Sequence, residues 1–224
     1  ILAGGKGSRI KSLLKKKPKP MAIFNKKPFL EYIIQSYSKY HFKNIFLLTG
    51  YKSAEIFNKF QNKHYNFTPI TCLKEKKPLG TAGGLSLLAG KIKKPFLVTN
   101  CDTIININFD NLMSFHISNK NDVTLVASSK EYIIPYGTCK LEKSGQLKNI
   151  IEKPKLDFFV NIGLYVINPD LIKLIPKNKS YDMPDLIKLA KIKRKKVGVY
   201  PIDDESWIDV GQWSEYRKAI EKLI

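Results

Sequence analysis

Short runs of β-branched and aromatic residues alternate with segments whose apolar residues recur at helical spacing, and this alternation limits the fold more than any other feature. Asn44 to Thr49 (NIFLLT), Pro95 to Thr99 (PFLVT) and Val123 to Ser128 (VTLVAS) read as buried strands. Between them, Phe29, Leu30, Ile33, Ile34 and Tyr37 fall on one helical face, as do Ile56, Phe57 and Phe60. Phe109 to Asn119 makes a further short helix. The pattern predicts an α/β fold, a Rossmann-like three-layer α/β/α arrangement with a mostly parallel mixed sheet. Ligands of such sheets bind beyond the carboxyl ends of the strands.

After residue 130 the rhythm changes. Gly137 to Leu141, a Ser144-Gly145 turn and Leu147 to Ile151 predict a hairpin. Phe158 to Ile167 reads as a strand, ended by Asn168-Pro169, which starts a helix over 169–175. Asp182-Met183-Pro184 opens a helix over 185–193, and Val197 to Pro201 is a last strand. Trp213, Tyr216, Ile220 and Leu223 line one face of a C-terminal helix. No repeat or low-complexity linker divides the chain, so residues 1–224 read as a single domain.

With 43% hydrophobic residues in 224, the chain can bury a substantial core. No run approaches the roughly 18 apolar residues that cross a bilayer. The N-terminal apolar piece stops at Gly4-Gly5, unlike a signal peptide. Ile1 is not an initiator methionine, and the short run Ile1-Leu2-Ala3 reads as a strand entered partway, with an upstream regulatory domain as an expectation. Cys72, Cys101 and Cys139 are scattered, which argues against disulfides and zinc and favours reducing cytoplasm. His41, His64 and His116 show no metal-binding spacing and read as structural. The formal charge of +20 points to anionic partners. Its lysines lie in small dispersed groups, and most aromatics fall on core-facing periods. A nucleic-acid binder would present a basic stripe interleaved with exposed aromatics.

Chemistry is concentrated in a few motifs. Leu2-Ala3-Gly4-Gly5-Lys6-Gly7-Ser8-Arg9 places three glycines directly after a strand, where backbone N–H groups converge on an anion and Arg9 can fork onto phosphate. Walker A is excluded because Gly5-Lys6 is followed by Gly7. The dinucleotide fingerprint is excluded because Ile10 stands where its last glycine belongs. In Pro18-Lys19-Pro20, prolines on both sides hold the lysine on a stiff backbone. Asp102 closes the run PFLVTNCD at the carboxyl end of a buried strand, a suitable place for a hard oxygen ligand.

These stretches resemble the nucleotidyltransferases that act on sugar phosphates. That family carries GGxG(T/S)R followed by PKP. Pro78-Leu79-Gly80-Thr81-Ala82-Gly83, Asn100-Cys101-Asp102, Glu152-Lys153-Pro154, Asn161-x-Gly163 and Trp207-Ile208-Asp209-x-Gly211 continue the match in family order across the chain. Lys11-Ser12-Leu13 replaces the usual PLT, and Cys101 replaces a common glycine. The resemblance implies the nucleotide-diphospho-sugar transferase fold and Mg²⁺ (or Mn²⁺) held by Asp102 and Asp209. It implies catalytic roles for Arg9 and Lys19 on the triphosphate. Nucleotide contacts would come from Leu2, Ala3, Gly4, Gly5, Lys6, Gly7, Ser8, Glu75, Pro78, Gly80 and Thr81. Sugar-phosphate contacts would come from Asn100, Glu152, Lys153, Asn161 and Gly163.

The reaction so implied is in-line displacement, in which a sugar-1-phosphate oxygen attacks the α-phosphorus of a nucleoside triphosphate and pyrophosphate leaves. No Ser-His-Asp or Cys-His arrangement competes with it. The PLGTAG loop resembles guanylyltransferases of mannose-, heptose- or amino-sugar-1-phosphates, which favours GTP. The stretch from Phe159 to Val166 followed by Asp182-Met183-Pro184-Asp185 is similar to enzymes of bacterial nonulosonate (legionaminate-type) pathways, which often carry upstream CBS modules. A CBS-type module and a homo-oligomer are compatible with that resemblance, while nucleic acid and membrane are not expected partners. Thymidylyl-, uridylyl- or cytidylyltransfer stays open within the fold. A non-catalytic sugar-nucleotide sensor would be expected to lose Lys19, Asp102 or Asp209, and all three are present.

Overall fold

The structure is a computed structural model that describes residues 1–5, 17–24 and 26–210. Its first half runs β1 (Leu2–Ala3), a 3-10 turn at Lys19–Met21, β2 (Ile23–Phe24), β3 (Lys27–Pro28), α1 (Phe29–Ser38), β4 (Ile45–Thr49), α2 (Ser53–Phe60), β5 (His64–Tyr65), β6 (Thr68–Lys74) and α3 (Gly80–Gly83). After a 3-10 segment at Gly84–Leu88 come β7 (Phe96–Thr99), β8 (Thr103–Ile105), α4 (Phe109–Ser118), β9 (Val123–Ile133), β10 (Thr138–Leu141), β11 (Leu147–Ile151), β12 (Lys155–Ile167), α5 (Met183–Ile192), β13 (Val197–Ile202) and β14 (Trp207–Asp209).

Parallel pairing joins β1 to β4 and β4 to β6, and β5 adds antiparallel to β6. In the second half β7 pairs antiparallel with β12, β12 antiparallel with β9, and β9 parallel with β13. A parallel bridge from Leu2 to Asn100 unites the halves in the order β5-β6-β4-β1-β7-β12-β9-β13. Strand alternation splits the core between the two faces. Leu47, Leu164 and Val166 join one cluster with Phe29, Leu30, Ile33, Ile34, Ile56, Phe60 and Leu112 of α1, α2 and α4. Leu48, Tyr165 and Ile167 join the other with Leu85, Leu171, Leu186 and Ala190. Each fully buried Leu or Ile contributes about 2 kcal/mol. The three-layer arrangement therefore follows from strands that are apolar on both sides.

Several boundaries differ from the expectation. β9 continues past Ser128 to Ile133, and β12 begins at Lys155, because the two strands pair with each other well beyond the main sheet. The helix expected over 169–175 is a 3-10 segment at Pro169–Leu174. Asn168 makes no cap there. Its amide donates to the Asn121 carbonyl, and its side-chain oxygen meets Nε2 of buried His116. Nδ1 of His116 meets Thr124 Oγ1, so this histidine is structural. Asn108, in contrast, caps α4 by accepting from the N–H groups of Asp110 and Asn111, an arrangement that stabilises a helix by about 1 kcal/mol.

Cys72 and Cys101 are buried, Cys139 is exposed, and all three are free thiols. Among the described residues no helix is long and apolar enough to cross a membrane. The C-terminal helix expected around Trp213, Tyr216, Ile220 and Leu223 lies outside the described residues.

Candidate active site

The chain leaves β7 at Thr99 and passes through Asn100, Cys101 and Asp102 before β8. β14 returns antiparallel to β8 with Asp209 opposite Thr103, and the Val210 N–H donates to the Asp102 carbonyl at 2.9 Å. This register brings Asp102 and Asp209, distant in sequence, to one cleft of about 280 Å³ that also includes Asn100, Asn161, Gly163 and Trp207. Both carboxylates are hard oxygen donors. Among the described residues no group of three or more His, Cys, Asp or Glu comes together. The pair therefore fits a divalent ion that completes its shell with substrate and water oxygens, the habit of Mg²⁺.

Lys19 reaches the same place from the opposite end of the sequence. Pro18 and Pro20 are buried, the Met21 N–H donates to the Pro18 carbonyl at 2.8 Å, and the resulting 3-10 turn anchors the lysine backbone. Its ammonium donates to Asp102 Oδ2 as an ion pair whose side chains are 12% and 17% exposed. The proline brackets thus hold Lys19 in place, and its charge is turned to Asp102, which lines the cleft, rather than to open solvent. Cys101, next to Asp102, has its thiol pushed up to about 12, chiefly by burial and then by the Asp102 charge. It is therefore no nucleophile at neutral pH.

The second wall comes from β12. Between Asn161 and Tyr165 this strand carries an irregularity in its pairing with β9, with Gly163 at φ +81°. A Cβ on Gly163 would stand 2.3 Å from Asn100 Nδ2, so only glycine lets Asn100 lie across this strand. Asn161 is held by donating to the Tyr165 hydroxyl at 2.7 Å and accepting from the Gly163 N–H at 3.1 Å. Asn100, Asn161 and Gly163 are thus brought together as expected.

The carboxyl ends of β1, β4 and β6 form a separate cradle. The Glu75 carboxylate packs against Gly4, Gly50 and Gly84, and a Cβ on Gly84 would stand 2.5 Å from Oε1. Oε2 accepts from the Leu79 N–H at 3.3 Å. Burial raises the Glu75 pKa, and the Leu79 N–H opposes that rise. The turn that follows is docked onto residues 181–183. Tyr181 donates to the Leu79 carbonyl, the Ala82 and Gly83 N–H groups donate to the Tyr181 carbonyl, and Thr81 binds Asp182. Gly80 takes φ +77° against that segment, while Pro78 is exposed just ahead of the turn. Leu2 and Ala3 place their side chains in the core, which leaves only their backbone for ligand contact.

Not every expected residue joins the cleft. Glu152 and Lys153 are exposed after β11, outside the residues that line it, and the Glu152 carboxylate faces Gly137. Lys6, Gly7, Ser8 and Arg9 lie outside the described residues, whereas Gly5 is described and exposed. Thr103, Tyr165 and Met183 line the cleft without having been anticipated. The sequence places Asp182 at a helix start and in the Asp182-Met183-Pro184-Asp185 stretch, without a site role. Its link to Thr81 spans 101 positions, and no local signal announces it.

The nucleotidyl transferase family profile matches residues 1–224. The chain is 33% identical over 229 residues to a mannose-1-phosphate guanyltransferase of Yarrowia lipolytica, covering 96% of this chain and 61% of that protein's length. It is 29% identical over 225 residues to the D-glycero-alpha-D-manno-heptose 1-phosphate guanylyltransferase of Aneurinibacillus thermoaerophilus, covering 100% of this chain and 96% of that one. The crystal structure of HddC from Yersinia pseudotuberculosis complexed with GMP-PN superposes with a TM-score of 0.77 at 25% identity, covering 100% and 98% of the two chains. On the profile match from Ile1 to Ile224, with a fold to agree, the chain belongs to the nucleotidyl transferase family.

Proposed function

We propose that the protein transfers a guanylyl group from GTP to a sugar-1-phosphate of the mannose, heptose or amino-sugar type, releasing pyrophosphate. The observation that carries this reading is the meeting of Asp102 and Asp209 at one cleft, with Lys19, from a third part of the chain, paired to Asp102. The naming of relatives as mannose- and heptose-1-phosphate guanylyltransferases supports the sugar class. The GMP-PN complex of the HddC relative supports the guanine base.

In the proposed reaction a phosphate oxygen of the sugar-1-phosphate forms a bond to the α-phosphorus of GTP, and the bond from that phosphorus to the β-phosphate bridging oxygen breaks. The nucleophile is already an anion, so no general base is needed. Asp102 and Asp209 would hold Mg²⁺ or Mn²⁺, which when bound neutralises and aligns the two phosphate groups. Lys19 leaves Asp102 and pairs with the triphosphate, and Arg9 of the glycine-rich turn adds a second cation there. Asn100 and Asn161 orient the sugar, with Gly163 permitting close approach. Glu152 would accept from a sugar hydroxyl and Lys153 would pair with the sugar phosphate, although both stand outside the residues that line the cleft.

Glu75 selects the base. A carboxylate accepts from N1–H and N2–H of guanine together, a donor pair that uracil and thymine lack. The test is a pyrophosphate-release screen of purified protein with Mg²⁺, crossing nucleoside triphosphates with a panel of sugar-1-phosphates. GTP with one sugar class should dominate, and a chelator should abolish release until Mg²⁺ is restored. Silence across the panel from folded protein would replace this reading with a sugar-nucleotide sensor.

A further inference from the structure

Asn161 and Tyr165 stand four residues apart on β12, yet their side chains meet at 2.7 Å. Four steps of a regular strand cover about 13 Å. The pairing with β9 shows what shortens the path. Asn161 is opposite Ala127 and Tyr165 opposite Leu125, so four steps of β12 match two steps of β9. The surplus is taken up in a bulge, and Gly163 in its middle has φ +81°. The ends of the bulge draw in to roughly 7 Å, the length of two strand steps, and a hydrogen bond closes across them.

The chemistry of that closure fixes the Asn161 amide. The Gly163 N–H can only donate, so the amide atom it meets at 3.1 Å is Oδ1. Nδ2 therefore faces the Tyr165 hydroxyl and donates to it, with one Nδ2 hydrogen left over. Asn161 is exposed at the cleft wall, where an untethered side chain would sample several rotamers and lose that freedom on binding. Tyr165 is the rigid end of the pair. It is 4% exposed and sits opposite Val98 of β7 on one side and Leu125 of β9 on the other. Burial raises its pKa, with the Asn161 bond opposing that rise, so the hydroxyl stays neutral at neutral pH.

We propose that Tyr165 is a positioning residue for the sugar phosphate: its buried hydroxyl holds the Asn161 amide so that the remaining N–H meets an acceptor oxygen of the sugar. Tyr165 acts through Asn161 and touches no reacting atom. The inference rests on the sugar-1-phosphate reading of the cleft and adds a second residue to that wall. The Glu75 cradle belongs to other strands, so one substrate alone feels the pair.

The test is a double-mutant cycle on the full chain with Tyr165→Phe, Asn161→Ala and both together. Pyrophosphate release is followed with GTP against mannose-, heptose- and glucosamine-1-phosphate. Tyr165→Phe keeps the buried ring and should raise KM for the sugar phosphate about 3- to 10-fold, the worth of one hydrogen bond. KM for GTP and kcat should change by less than about 2-fold. In the Asn161→Ala background the same substitution should add nothing, because the group it positions is gone. A packing role alone would give the same change in both backgrounds or move both KM values together, and either result overturns the proposal. The cycle is repeated on melting temperature without substrate. Tyr165→Phe should cost about 2–4 °C in the wild type and nothing further in Asn161→Ala. Wild-type protein silent with all three sugars refutes guanylyl transfer, whereas additive melting shifts refute the tie between Tyr165 and Asn161.

Discussion

Thr81 and Asp182 are bound to each other across 101 positions of sequence, with Asp182 Oδ1 accepting from the Thr81 N–H at 2.8 Å and from its hydroxyl at 3.1 Å. Thr81 Oγ1 in turn accepts from the Met183 N–H at 2.9 Å. Asp182 stands at the N-cap position of α5 yet makes no side-chain cap there. Its carboxylate instead ties the turn beside Glu75 to the wall formed by Met183 and Pro184. Asp182→Ala should therefore raise KM for both substrates together by about 3- to 10-fold, in line with roughly 1 kcal/mol per lost hydrogen bond. Asp182→Asn keeps an acceptor oxygen and should stay near wild type. Initial rates with each substrate varied in turn decide it; a change in kcat alone would point to a different role.

Asp102→Asn removes one carboxylate and leaves the Lys19 ammonium, only 12% exposed, without its counter-charge. Turnover should fall by about 10²–10⁴-fold, since charge alignment at the transferred phosphorus is lost. Stability should drop by about 1–3 kcal/mol, because breaking a largely buried pair strands the partner charge. Pyrophosphate release and thermal melting measure the two effects. Near-wild-type turnover in a folded variant would remove Asp102 from the proposed metal site.

Gly163→Ala places a methyl group 2.3 Å from Asn100 Nδ2 at a backbone φ of +81°. Either the Asn100 side chain or the strand must move. A loss of about 1–3 kcal/mol in stability is expected, with a larger fractional loss in sugar-phosphate affinity than in GTP affinity. Equal loss of both affinities would show that the strand, not Asn100, had shifted.

Glu75→Gln tests the half-buried carboxylate through its pH dependence. Burial raises the native pKa of Glu75, so its ionised form is disfavoured in the folded state relative to the unfolded chain. The resulting destabilisation of the wild type is absent below the ordinary Glu value of about 4.3 and grows as pH rises through the native pKa. Gln keeps an acceptor for the Leu79 N–H and carries no charge. Denaturant midpoints should therefore match at low pH and favour the variant at neutral pH, while its preference for GTP over UTP should weaken. A variant less stable than wild type at neutral pH would contradict the desolvation argument.

The layered α/β fold was readable because NIFLLT, PFLVT and VTLVAS, with the helical stretches between them, carry their periodicity locally. Lys19 was readable for a similar reason: two prolines flank it, and backbone stiffness is a property of neighbouring residues. The pairing of β9 with β12 beyond the main sheet was not, since Ser129 to Ile133 and Lys155 to Asp157 extend the two expected strands only by pairing across the sheet. Nor was the failure of Asn168 to cap a helix, decided by His116 and Asn121 waiting in the fold.

By itself, the order of residues determined the layers, the strand ends that can face a ligand, and the charged groups available there. Only the tertiary structure decided which of those groups meet. Asp209 comes beside Asp102 through the β14–β8 register, and Thr81 meets Asp182 through the docking of a turn on α5. The reason is physical: periodicity and backbone stiffness act over a few residues, whereas a register between distant segments is chosen by packing of the whole sheet.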